Sequence, residues 1–508
     1  MKKIICFLLL LFIFTACSGE KTAQIKPSIS VSIMDRNLIS MEEGTYSNNR
    51  WTQWVNENSP VKVNWIPIVQ NNFEQALNIM FNANTAPDLI VSSDRALMQT
   101  LADKKLIQPL DGFIDSYSKQ YAQYLKEHEY FRLYTTLNRQ TYLFTSESET
   151  TADSAIWIRK DWLDALGMEI PKTTAQLLEV ARAFTYNDPD KNNLNDTIGI
   201  VSTNDMLEQI YMVDQQWYVD DSENIYLSQL TDRYMSMLLY KRQLFSEGII
   251  DNSFILGNNS QSHIQPWLDG KGGILFSDWN ADEFRSLLKN TPSALITVLE
   301  PIATDYGNNG LRHKAPTGHY IAFNSNMETP ENGIKFLDWM IDGGYQTLLY
   351  GIEGEHYENK YGNIKPIDID KNNVELSYAK VDMPVLRKGT ISPEQILNSA
   401  SDDNVLDQTI ASLNAKSLSI SMQNPRKQNI PVDISANVTK IKQFETEWNI
   451  FIKDIESEFI LSALSPSPMS SNTLKAIMTN EYNRLGGDNI RSLMQQWYDE
   501  NKYSFTKN

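Results

Sequence analysis

Ile29-Ser30-Val31-Ser32-Ile33 alternates apolar and polar positions, the period of a strand with one buried face. Val61-Lys62-Val63-Asn64-Trp65-Ile66 repeats the alternation, and residues 50–58 between them read as a helix. Phe73, Leu77, Met80 and Phe81 then recur at helical spacing until Ala86-Pro87-Asp88 breaks the run, and Leu89-Ile90-Val91 reads as a buried strand. Strand, helix, strand, helix, strand predicts a mostly parallel α/β sheet. A helical, aromatic stretch follows over 117–134.

A second run starts at Ala155-Ile156-Trp157-Ile158-Arg159, an apolar strand followed by helices over 161–166 and 175–184, the latter capped by Thr173 or Thr174. Residues 234–245 are amphipathic. Gly272-Gly273-Ile274-Leu275-Phe276-Ser277-Asp278-Trp279 predicts a strand that ends on polar and aromatic residues, and His319-Tyr320-Ile321-Ala322-Phe323 predicts another. Residues 334–345 read as one helix, and the last third is helical in long pieces, including 444–464 and 470–497.

A length of 508 residues allows two or more lobes. The net charge of −18 argues against nucleic acid and anionic lipid as partners. At the N-terminus, Lys2 and Lys3 precede an apolar run over 4–14 that is too short to span a bilayer. Thr15-Ala16-Cys17 ends it. The two cysteines, Cys6 and Cys17, both lie in or beside this segment, so the remaining chain has no disulfide, thiol nucleophile or thiolate metal site.

The sharpest chemical signal is the run 187–197. Asp188, Asp190, Asn192 and Asp196 stand at relative positions one, three, five and nine, with the Leu194 carbonyl at seven, a spacing that lets a loop curl around a hard cation. Calcium in a structural role is the expectation. Asn193 replaces the usual Gly at six but tolerates the left-handed conformation. Gly199 stands at twelve, where a bidentate Glu is usual. An Asn/Asp-rich surface turn is the plain alternative.

Several blocks together resemble family 1 of the extracellular solute-binding proteins of bacterial ABC importers, in particular lipoproteins linked to oligosaccharide uptake. They are Ala83-Asn84-Thr85-Ala86-Pro87-Asp88-Leu89-Ile90, then Ile156-Trp157-Ile158-Arg159-Lys160-Asp161-Trp162-Leu163-Asp164, the acidic loop, Gly270 through Trp279, and Tyr350-Gly351-Ile352-Glu353-Gly354-Glu355-His356-Tyr357. The family loop usually carries Gly at six and often an acid after the ninth-position Asp, where Asn193 and Thr197 stand here. The resemblance implies a two-lobed α/β fold of the maltose-binding-protein type with a helical C-terminal part. Lobe 1 would take 27–152 and 303–349, and lobe 2 would take 153–302 and 350–508, after a signal peptide over 1–17 and a tether over 18–26. Thr15-Ala16 before Cys17 resembles the lipobox of bacterial lipoproteins, which implies a lipid on Cys17 and a membrane-anchored, extracytoplasmic protein; an ordinary signal peptide in which Cys17 is incidental is the alternative. A monomer is expected. Such a protein would capture an oligosaccharide in the inter-lobe cleft for ABC permease subunits.

A sugar is gripped by aromatic rings on its faces and planar polar groups on its edges. The chain has 11 Trp and 23 Tyr. Candidate ligand contacts are Trp279 and Asp278 at a strand end, Trp157 and Arg159 on one strand face, Trp217, and Tyr350, Glu353 and Tyr357 in a Gly-broken loop. Core packing is the competing reading for each. A surface glycan sensor or adhesin without a transport role is the alternative function, and neighbouring permease genes would separate the two. A polysaccharide-degrading enzyme is a third. No HExxH-type metal spacing or G-x-S-x-G elbow supports catalysis, and turnover of candidate oligosaccharides would test it.

Overall fold

The computed structural model describes residues 26–152, 154–202, 206–250, 264–279, 281–360, 362–426 and 439–502. Cys17 and the stretch before it lie outside the described residues. In chain order the principal strands are β1 (Ser28–Asp35), β2 (Lys62–Val69), β3 (Leu89–Ser92), β4 (Leu143–Glu147), β5 (Ser154–Arg159), β6 (Ile198–Ser202), β7 (Gly272–Asp278), β8 (Ile296–Val298) and β9 (Thr317–Phe323). The helices used below are α1 (Arg50–Asn58), α2 (Lys160–Leu166), α3 (Thr174–Tyr186), α4 (Pro330–Trp339), α5 (Ser377–Asp382), α6 (Val405–Gln423), α7 (Thr439–Leu461), α8 (Ser471–Arg484) and α9 (Gly487–Asn501).

Two sheets organise two lobes, the two-lobed α/β fold expected. The first has the order β2-β1-β3-β9-β4 and the second β8-β5-β7-β6. β1 runs parallel to β2 and β3, with Val31 opposite Trp65, and β9 runs antiparallel to β3 and β4. Ile29, Val31 and Ile33 enter one core as their alternation predicts. The opposite face of β1 is covered as well. Ser32 is fully buried and its Oγ accepts the Val91 amide at 2.8 Å. A small hydroxyl fits between two packed layers where its own bond is satisfied.

Strand direction decides where function can sit. β4 leaves the first sheet at Glu147 and the chain enters the second at Ser154. The carboxyl ends of β1, β2 and β3, which share the sense of β4, therefore point toward the second lobe. In the second sheet β7 and β8 are antiparallel to β5 and β6 is parallel to β7. Ser154, Ser202, Asp278 and Val298 thus lie at the end facing the first lobe, and Arg159, Ile198, Gly272 and Ile296 at the far end.

Among the described residues the chain crosses between lobes over 147–154, 298–317 and 386–393. The Ser148 amide donates to Pro316 O at 2.8 Å, Lys314 to Thr151 O at 2.8 Å, Glu147 to Arg387 O at 3.0 Å and Ile391 to Glu149 O at 2.8 Å. The third crossing corrects the expected division of the chain. Leu376, Tyr378, Ala379, Met383, Val385 and Leu386 are buried in the first lobe's core, although 350–508 reads from the sequence as lobe 2. The chain reaches the second lobe for the last time after Leu386. There α6 to α9 contribute Ile410, Leu413, Trp448, Phe459, Leu474 and Met494 to the second core.

Two helices are shorter than their periodicity suggests. The 334–345 pattern is α4 followed by a π-turn over Met340–Gly344, broken at Gly343 with φ +136°. The 470–497 run is split into α8 and α9 at Gly486, whose φ of +73° is left-handed. Glycine takes both conformations without a Cβ clash.

Candidate functional site

At the cleft end of the first sheet, the residue after β1 is Arg36. Its guanidinium donates to both oxygens of Asp382 on α5, at 2.6 and 3.1 Å. His319, near the start of β9, lies 3.7 Å from the same carboxylate. Burial lowers the His319 pKa to about 4 despite Asp382, with Arg387 and Arg36 adding to the depression. The imidazole is therefore neutral at pH 7 and its contact with Asp382 is not an ion pair. At the end of β4, Glu147 is bonded to the crossing at Gly389, and Arg387 reaches Glu149 at 3.4 Å.

Across the cleft, Asp278 accepts a bond from Ser154 Oγ at 2.6 Å. Trp279 is half-buried. Its indole N–H donates to Ser417 on α6 at 3.1 Å, and its ring packs against the second core. Trp279 and Asp278 thus stand at the end of β7 that faces the first lobe.

Tyr350, Glu353 and Tyr357 come together on one loop. Tyr350 is exposed and its ring meets Tyr357 edge-on at 6.5 Å. Their loop is tied to the first lobe, because His356 is buried against Trp51 at 5.4 Å and bonds Glu375 at 3.1 Å. Glu355, His356 and Glu375 lie close enough to hold a metal ion. Arg50 and Lys371 already meet both carboxylates there.

Three expected contacts are placed elsewhere. Trp157 is fully buried and packs edge-on against Phe284 at 4.7 Å. Trp217 is buried against Phe444, with its N–H on Glu445 at 3.0 Å. Arg159 does share a strand with Trp157, but at the end away from the cleft, five residue steps or roughly 17 Å from Ser154. It is 2% exposed. Its guanidinium is spent on Asp161 at 2.8 and 2.6 Å and on Gly270 O at 2.9 Å, over the Trp162 ring. These side chains are buried and spent on contacts within the second lobe. Conversely, the Arg36–Asp382–His319 group was not read from the sequence, because Arg36 lies 346 residues from Asp382 and no local pattern joins the three.

The acidic loop sits between α3 and β6, also at the far end of the second lobe. Asp188 accepts the amides of Asn192 and Asn193, both at 3.0 Å. The Asn192 side-chain amide donates to Asp190 at 3.0 Å and Asp196 at 3.2 Å, while its oxygen accepts the Leu194 amide at 2.6 Å. Asn193 takes φ +60°. The Asp190 carboxyl is raised above its ordinary value by burial and then by its contact with Asp188. Lys271 holds Asp196 below its ordinary value. Position twelve is closed to any acid, since a Cβ on Gly199 would lie 2.1 Å from Ala181 O. Thr197 turns inward, its hydroxyl on Phe184 O at 2.8 Å.

A family model described as bacterial extracellular solute-binding protein matches residues 40–347, more than half of the chain. The chain belongs to this family. This solute-binding protein is 26% identical to Lipoprotein LipO of Bacillus subtilis (strain 168) over 351 residues, 63% of this chain and 65% of that one. It is 26% identical to the polygalacturonan/rhamnogalacturonan-binding protein YtcQ of the same organism over 321 residues, 59% of this chain and 61% of that one. It spans a little under two thirds of the length of these curated relatives. The solved structure of Streptococcus pneumoniae FusA, an ABC-transporter substrate-binding protein in complex with kestose, shares the fold. Its TM-score is 0.71 at 19% identity, covering 94% of this chain and 99% of that one. A second FusA structure is of an EF-hand mutant. The family is one of binding proteins, which sets the enzyme reading aside. Among the described residues no helix is long and apolar enough to cross a membrane.

The acidic loop of this solute-binding protein fits a hard cation. Asp188 and Asp190 are in contact, the Asn192 amide links Asp190 to Asp196, and Asp188 crowds Asp190 in the way a bound cation relieves. The donor set is five residues, smaller than a full EF-hand, because positions ten and twelve are closed by packing.

His319 offers a test of the cleft's electrostatics. The unfolded chain takes up this proton as pH falls through about 6.5, whereas the folded protein does so only at about 4. Stability is therefore lost as pH falls across that window. NMR titration of His319 should show the low pKa, and His319→Gln should flatten the stability–pH slope between these values.

Proposed function

We propose that this solute-binding protein is a lipid-anchored receptor of an ABC importer that captures an oligosaccharide between its lobes and delivers it to permease subunits. The observation that carries the reading is Trp279 with Asp278 at the cleft end of the second sheet. An indole face stands there beside a carboxylate acceptor, opposite the polar strand ends of the first sheet. Ligands of open α/β sheets bind beyond the carboxyl ends of their strands, and closure about the crossings would bury the sugar. Tyr350 and Tyr357 border the crossings and would contribute from the first lobe. The names of YtcQ and FusA support a carbohydrate, and that of LipO supports a lipid on Cys17. Calcium held by Asp188, Asp190, Asn192, Asp196 and the Leu194 carbonyl would brace the second lobe without touching the sugar.

Trp279→Ala should weaken binding of the captured oligosaccharide by roughly tenfold, the loss expected for an aromatic face of about 1–1.5 kcal/mol. Titration calorimetry on mutant and wild type measures it, with circular dichroism to check the fold. Equal affinity in a folded mutant would remove Trp279 from the cleft.

A further inference from the structure

Lys271 immediately precedes β7, and its backbone carbonyl accepts the Ile198 amide at 2.9 Å, where the acidic loop enters β6. That pairing fixes the lysine beside the loop. Its Nζ lies 2.9 Å from Asp196 Oδ2. The other oxygen of Asp196 is taken by the Asn192 amide, which also serves Asp190. Both oxygens of Asp188 accept backbone amides. The loop's negative charge is therefore met from within, by an ammonium and by an amide that turns its NH₂ toward two carboxylates.

We propose that Lys271 is a tethered counter-cation that competes with calcium for Asp196 and so sets the affinity of the loop; this rests on the calcium reading above. A hard cation takes oxygen ligands only, so it must either displace the ammonium from Asp196 Oδ2 or share the carboxylate with it. Two positive charges on one carboxylate repel each other, and that repulsion raises the calcium dissociation constant. Gly199 and Thr197 act in the same direction, because neither position can supply a further acid. The consequence is a weak, exchangeable site of the kind suited to calcium-rich surroundings outside a cell. When calcium is scarce, Lys271 keeps the loop folded.

The test is calcium calorimetry and thermal melting on the full mature protein as wild type, Lys271→Met and Lys271→Arg. Methionine removes the charge and keeps an unbranched side chain. Lys271→Met should bind calcium roughly tenfold more tightly than wild type, while Lys271→Arg should stay near it. In chelator Lys271→Met should melt below wild type, and with excess calcium that gap should close or reverse. A purely structural ion pair would lower the melting temperature equally under both conditions and leave calcium affinity alone. An unchanged or weaker calcium affinity in Lys271→Met therefore overturns the competition. Absence of calcium binding in all three proteins overturns the calcium reading itself, and this inference with it.

Discussion

Arg159→Ala is expected to destabilise the second lobe by about 3 kcal/mol and to leave sugar affinity unchanged. The guanidinium is buried, bidentate on Asp161, bonded to the Gly270 carbonyl and stacked on Trp162. Removing one partner of a buried ion pair costs about 3–5 kcal/mol because the other charge is left without compensation. The lower end applies here, since the Asp161 side chain is 23% exposed and also accepts the Leu295 amide. Denaturant unfolding measures the first effect and calorimetry with the oligosaccharide the second. A large affinity loss in a protein of normal stability would contradict the placement of Arg159 at the far end of β5.

The second large effect is on the acidic loop. A ligand specific to the folded state stabilises by about 2.7 kcal/mol at a hundred times its dissociation constant. Stripping calcium from the saturated protein should lower the melting temperature by roughly 5 to 10 °C for a lobe of this size. Asp190→Ala should abolish the sensitivity, because Asp190 is the carboxylate crowded by Asp188. Differential scanning calorimetry with and without chelator decides it. Superimposable curves for the wild type would make the loop a turn and nothing more.

Elements with a strong period were legible. The alternation of β1 and β2, the cap on α3 and the apolar run of β5 all became the expected secondary structure. Periodicity reports which side of a strand is apolar, but not whether the opposite side is also covered. Ser32 therefore reads as exposed and is buried. Nor does it report which end of a strand meets the ligand. Trp157 and Arg159 share a strand as read, yet direction relative to the crossings sends Arg159 away from the cleft. Trp279 follows, as read, a strand whose last residues turn polar. The Arg36–Asp382 pair joins residues 346 apart, and only the assembled fold brings them together. The acidic loop was legible from its spacing, whereas the Lys271 ion pair with Asp196 was not, because it comes from the pairing of β6 and β7.

The interleaving of the lobes also governs the order in which the molecule can be assembled. The first sheet has four strands by Glu147, yet β9 between β3 and β4 is not made until Phe323, and α5 comes later still. The second core likewise waits for α7 to α9. The first lobe cannot close its interior before Leu386 nor the second before Met494, and no single cut yields a self-sufficient fragment. Such a chain commits to its final state late and as a whole.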